Sequence, residues 1–145
     1  MTTKSELLRG LTSFEEGYID ALLWTEYAEI GGGEDGGGPH LDEDYDRDDL
    51  TVGSLESVIA DCQGFIEQAQ AVEHPDESPW DDRDYDAENL EDSSQAGHDF
   101  LLTRNGHGAG FWDRGIGAWG TTLTDIAKTF GSTYAYAHRG HVYVD

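Results

Sequence analysis

The chain has 145 residues and a formal net charge of −23, from eight Lys and Arg against 31 Asp and Glu. That sign excludes direct nucleic-acid binding, because phosphate contacts need Lys and Arg. A content of 37% hydrophobic and 11% aromatic residues excludes a purely disordered acidic tail.

The length fits one domain over residues 1–145. Cys62 is the sole cysteine, so no internal disulfide framework exists, and a reducing compartment is expected. No apolar run reaches the length of a signal peptide or a membrane span. The expectation is a cytoplasmic protein of the host cell with no membrane association.

In chain order, Ser13 and Glu16 form a capping-box pattern that opens a helix over about 13–29. Phe14, Tyr18, Ala21, Leu22 and Tyr27 recur along it at helical spacing. The tract "GGGEDGGGP" ends that helix and predicts a flexible loop at 31–39. In "SLESVIADCQGFIEQAQAV", Leu55, Val58, Ile59, Cys62, Phe65, Ile66, Ala69 and Val72 form one apolar stripe. The stripe predicts an amphipathic helix with Cys62 on its buried face. "EHPDESPWDDRD" reads as loop, and "DAENLEDSSQAG" as a shorter helix over about 86–96.

Further on, "HDFLLTRN" reads as a strand, "GHGAG" as a loop, and "FWDRG" as a second strand or its start. "TTLTDIAKTFG" has helical spacing with Gly131 as its stop, and "STYAYA" and "HVYVD" alternate around "HRG" as a terminal hairpin. The predicted fold class is α+β: N-terminal helices, then a small antiparallel sheet with one intervening helix.

The charge is concentrated rather than spread. Residues 1–33 carry a net −4, residues 34–92 a net −19, and residues 93–145 a net of zero. Within the acidic region 34–92 one phrase occurs twice, as "DYDRDDL" at 44–50 and "DYDAENL" at 84–90. In an extended chain, residues i and i+2 point the same way about 6.6 Å apart. Successive phosphates of a DNA strand lie about 6–7 Å apart through space. On that spacing Asp42, Asp44, Asp46 and Asp48 form one ladder, and Asp82, Asp84, Asp86 and Glu88 a second, with Asp49 and Asp81 beside them. A structural reading stands next to it: two acidic helix starts, each followed by a leucine that enters the core.

Two other chemistries compete. "DEDYDRDDLTVG" places Asp42, Asp44 and Asp46 at positions 1, 3 and 5 of a calcium loop, but Arg47 and Gly53 stand where glycine and glutamate are needed. His98, Asp99, His107 and Asp113 are candidates for a metal-dependent catalytic centre, at spacings that match no ligand pattern. No nucleophile motif or P-loop is present. The expectation is therefore a protein that is not an enzyme and needs no cofactor.

The segment "GHDFLLTRNGHGAGFWDRG", with fainter echoes in "ADCQGF", resembles a stretch found in small phage and mobile-element proteins. The similarity covers about residues 93–120. With the small size and strong acidity, that setting is similar to the anti-CRISPR and anti-restriction inhibitors that act as DNA mimics. The resemblance implies competition with nucleic acid for the basic groove of a host defence complex, a CRISPR effector or a restriction enzyme. It assigns no role to any residue of the segment.

Overall fold

A computed structural model describes residues 3–26, 40–72, 87–107, 110–113 and 117–144. Five α-helices occur among them: α1 (Lys4–Arg9), α2 (Ser13–Thr25), α3 (Val52–Ala71), α4 (Ser94–Arg104) and α5 (Gly117–Lys128). Two strands follow, β1 (Ala135–His138) and β2 (His141–Val144), paired antiparallel as a hairpin. The α+β prediction holds, but the predicted intervening helix is corrected: α5 precedes the sheet, which among the described residues is the terminal hairpin alone.

Local chemistry explains the helix starts. Thr12 caps α2: its hydroxyl accepts from the Glu15 N–H at 3.1 Å, and the Glu15 carboxylate accepts from the Thr12 N–H at 2.9 Å. This is a reciprocal capping box, one residue earlier than the Ser13–Glu16 pair predicts. Thr51 and Ser93 give simpler one-way caps: Thr51 Oγ1 accepts from Ser54 N–H at the start of α3, and Ser93 Oγ accepts from Ala96 N–H at the start of α4.

α3 matches its predicted stripe, with Leu55, Val58, Cys62, Phe65, Ile66 and Ala69 all buried. α2 ends at Thr25, earlier than predicted, because Glu26 is already extended; residues 27–29 of the predicted helix and the loop 31–39 fall outside the described residues. The predicted 86–96 helix divides into a 3₁₀ turn, Ala87–Asp92, and the start of α4.

The predicted strand "HDFLLTRN" is wrong, because these residues lie in α4 and the turn that ends it. Residues 99–104 are all buried in α4, so this stretch of the helix has no solvent-facing side. A helix covered on all sides loses its amphipathic period, and a short continuous apolar run then reads as a strand. The predicted strand at "FWDRG" is likewise corrected: Phe111–Asp113 is a 3₁₀ turn.

All five phenylalanines meet in one cluster at the centre. Phe65 stacks on Phe100 at 4.4 Å and on Phe111 at 5.4 Å, Phe14 on Phe65 at 5.7 Å, and Phe130 meets Phe100 edge-on at 5.3 Å. The hairpin closes through Arg139 at φ 52° and Gly140 at φ 81°. Positive φ at both turn residues suits a two-residue hairpin loop. The sheet joins the rest through Thr51 N–H, which donates to the Val142 carbonyl at 3.1 Å, and Val144 N–H, which donates to Ser54 Oγ at 2.9 Å.

Candidate interaction surface

The first acidic phrase is held at both ends. Leu41 and Leu50 are completely buried, Tyr45 packs half-buried against the core, and Leu41 N–H donates to the Glu26 carbonyl at 2.8 Å. Between these anchors the backbone forms two 3₁₀ turns, Leu41–Glu43 and Arg47–Asp49. The alternating ladder Asp42–Asp44–Asp46–Asp48 on an extended chain is therefore corrected. Short acidic side chains favour their own backbone amides, which bends the chain into capped turns.

The carboxylates divide by role. Glu43 Oε2 accepts from His40 N–H, Asp49 Oδ2 from Asp46 N–H, and Asp46 Oδ1 from Asp48 N–H, each at 2.9 Å. Asp46 and Asp49 thus hold the second turn closed. Asp42, Asp44 and Asp48 are exposed and have no side-chain hydrogen bond or ion pair among the described residues.

Arg47 fastens the loop to α2. Its Nε and Nη2 donate to the two carboxylate oxygens of Asp20 at 3.1 and 2.9 Å, and Nη1 pairs with Glu16. The hydrogen bond to Asp20 leads the effects that raise the Arg47 pKa above its ordinary value. Sequence reasoning missed this clamp and the two acids of α2. The signal is faint: a lone cation inside an acidic run.

The second phrase cannot be compared side chain by side chain. Asp81, Asp82, Asp84 and Asp86 lie outside the described residues; Glu88 falls on the turn Ala87–Asp92, with its side chain outside them. One feature of the structural reading holds for both phrases, since Leu50 and Leu90 are each fully buried. The helix-start part holds for the 3₁₀ turn Arg47–Asp49, which Asp46 caps, but not for α3 or α4, neither of which carries an acid in its first turn.

The C-terminal segment resolves into packing. Arg104 is buried at 7% exposure and donates to the Tyr18 hydroxyl, Asp61 and the carbonyls of Gly131 and Phe130, at 2.7–3.0 Å. Thr103 Oγ1 accepts from Phe111 N–H at 3.2 Å, and Asn105 Oδ1 from Thr133 N–H at 2.8 Å. Gly97 and Gly110 have no room for a Cβ, which would meet Phe14 O at 1.9 Å and Thr103 Oγ1 at 2.2 Å.

Three residues of the candidate metal centre have described side chains, and their surroundings differ. Asp99 is completely buried and accepts from Gln95 at 3.2 Å, His98 stacks on Trp24 at 5.8 Å, and His107 is exposed. The Asp113 side chain is outside the described residues. Among the described residues, no three His, Cys, Asp or Glu side chains are grouped so as to hold a metal ion.

An acidic cleft of about 210 Å³ lies between α2 and α3, lined by Thr12, Glu15, Gln63, Ile66, Glu67, Gln70 and Glu91. Desolvation raises the pKa of Glu15 there. No described helix is long and apolar enough to cross a membrane. No family model, curated protein or solved structure matches the chain.

Proposed function

We propose that the acidic surface centred on residues 40–50 is a decoy for nucleic acid, a DNA mimic that inhibits a host defence complex such as a CRISPR effector or a restriction enzyme. One observation carries the reading: Asp42, Asp44 and Asp48 stand exposed, without partners among the described residues, on a backbone secured at both ends. Folding draws on Asp46, Asp49 and Glu43 for caps and on Leu41 and Leu50 for burial. It makes no visible use of these three, while their mutual repulsion works against compactness.

Carboxylates with no internal task on a fixed backbone suit a basic partner. The Lys and Arg of a nucleic-acid groove would meet a loop already ordered, so only side-chain entropy opposes binding there. Opposed fields would accelerate encounter and make affinity fall with salt. Acids of the second phrase, Asp81, Asp82, Asp84, Asp86 and Glu88, extend the candidate surface on charge alone.

The test is competition with duplex DNA for a purified effector complex or restriction enzyme, at about 0.1 M and about 0.5 M salt. The parent should displace DNA at the lower salt and lose that ability at the higher. The variant with Asp42, Asp44 and Asp48 changed to Asn should fold normally and lose displacement. Full displacement by that variant would sink the proposal.

A further inference from the structure

The hairpin carries a feature that the acidic surface does not involve. In its register His138 lies directly opposite His141, with only Arg139 and Gly140 between them. Directly opposed residues project their side chains to the same face of the sheet, about 5.5 Å apart at Cβ. That face is the outer one, since Ala135 and Val142 of the other face are buried at 4% and 0%. Both histidines are exposed, and neither side chain has a hydrogen bond or ion pair among the described residues.

We propose that His138 and His141 form an open two-imidazole site for a borderline divalent transition metal, of the class of Zn²⁺, Ni²⁺ or Cu²⁺. The donor set selects that class. Imidazole nitrogens suit these ions, whereas Ca²⁺ and Mg²⁺ require oxygen. No Asp or Glu occurs between Asp125 and Asp145, so the hairpin itself supplies no carboxylate among residues 126–144.

Placement favours the site in two ways. The tight turn with positive φ at Arg139 and Gly140 fixes the separation of the two histidines before any ion arrives. The Leu50–Val142 bridge sets the hairpin beside the acidic loop 40–50, whose charge favours cations and opposes the local repulsion from Arg139. Two protein ligands leave the remaining positions to water or to another molecule's donors. The bound ion would clip β1 to β2 across the end of a sheet that has only two strands of four residues. A two-stranded ribbon is marginal by itself, so the clip should register as added stability.

The experiment titrates the full chain with Zn²⁺ and with Ni²⁺ by calorimetry and by thermal unfolding. Excess Mg²⁺ is present throughout to occupy carboxylates. One ion per chain is expected, with a raised Tm, at pH 7.5. His138→Asn and His141→Asn should each weaken affinity at least about tenfold, as expected when one of two ligands is removed. Equal binding by the His138→Asn/His141→Asn double variant would place the metal elsewhere and overturn the assignment. So would no binding in the parent at about 1 mM metal, a concentration corresponding to about 4 kcal/mol.

Discussion

Gly17 and Gly97 set the distance between α2 and α4. A Cβ on Gly17 would lie 2.0 Å from the Ser94 carbonyl oxygen, and one on Gly97 would lie 1.9 Å from that of Phe14. Each glycine therefore faces the backbone of the other helix, and neither gap can be opened by rotating a side chain. Gly17→Ala and Gly97→Ala should each cost about 3 kcal/mol or more, since backbone must move to relieve the overlap. Urea unfolding monitored by circular dichroism checks this, with Gly53→Ala, which meets nothing within 4 Å, as the control.

Arg104 ties together α2, α3, α4 and the chain after α5. Arg104→Leu would leave the Tyr18 hydroxyl and two carbonyls without their donor, and Asp61 without its cation. A loss of about 3 kcal/mol is expected, of the order found when one partner of a buried pair is removed. Arg104→Lys keeps the charge but lacks the planar fork that reaches four acceptors, so it should fall between. Equilibrium unfolding of the three proteins gives the ranking, and a stability of Arg104→Leu equal to the parent would refute the hub role.

Burial acts on Glu15 in the direction opposite to ordinary acid unfolding. Its folded pKa is raised above the usual 4.5, chiefly by desolvation, so the folded state holds the proton more readily than the unfolded chain. The contribution of this group therefore becomes less favourable as pH rises from the unfolded pKa through the folded one. Glu15→Gln keeps an N3 side chain able to accept from Thr12 N–H and removes the titration. The stability difference between variant and parent should grow in the variant's favour across that window. A pH-independent difference would contradict it.

Cys62 is fully buried, and desolvation raises its thiol pKa well above the usual value. Thiolate is the reactive form, so the native protein should resist alkylation at pH 8. Labelling in denaturant should rise in step with global unfolding. Rapid native labelling would show that α3 detaches locally.

Arg47 pairs with Asp20 and Glu16 at a half-exposed site, with 36% of its side chain accessible. Such pairs contribute little to global stability, and Arg47→Gln should cost less than about 1 kcal/mol. Its effect belongs to the acidic loop: hydrogen exchange at Asp48, Asp49 and Leu50 should quicken severalfold. A double-mutant cycle with Asp20→Asn isolates the pair.

α3 was legible because its one-sided burial writes a helical period into Leu55, Val58, Cys62, Phe65 and Ala69. The hairpin was legible for a similar reason, with Ala135 and Val142 buried between more exposed neighbours. α4 was not, because burial on every side erases the period in "DFLLTR". The repetition of the acidic phrase was visible, but its geometry was not. Whether Asp46 caps a turn or faces a partner depends on backbone amides two and three residues away, and composition is blind to that choice.

The sequence by itself determined where the charge lies, which helix buries Cys62, and that helices precede a terminal hairpin. These follow from local spacing and composition, which act over a few residues. Tertiary structure decided which carboxylates are consumed by caps and which remain exposed, and that Arg47 reaches back to α2. It also decided that Arg104 joins four segments of the core and that Gly97 sits against the backbone of α2. Each of those outcomes rests on contacts between residues far apart in the chain, such as Arg104 with Tyr18 and Gly97 with Phe14, which form only when the core closes.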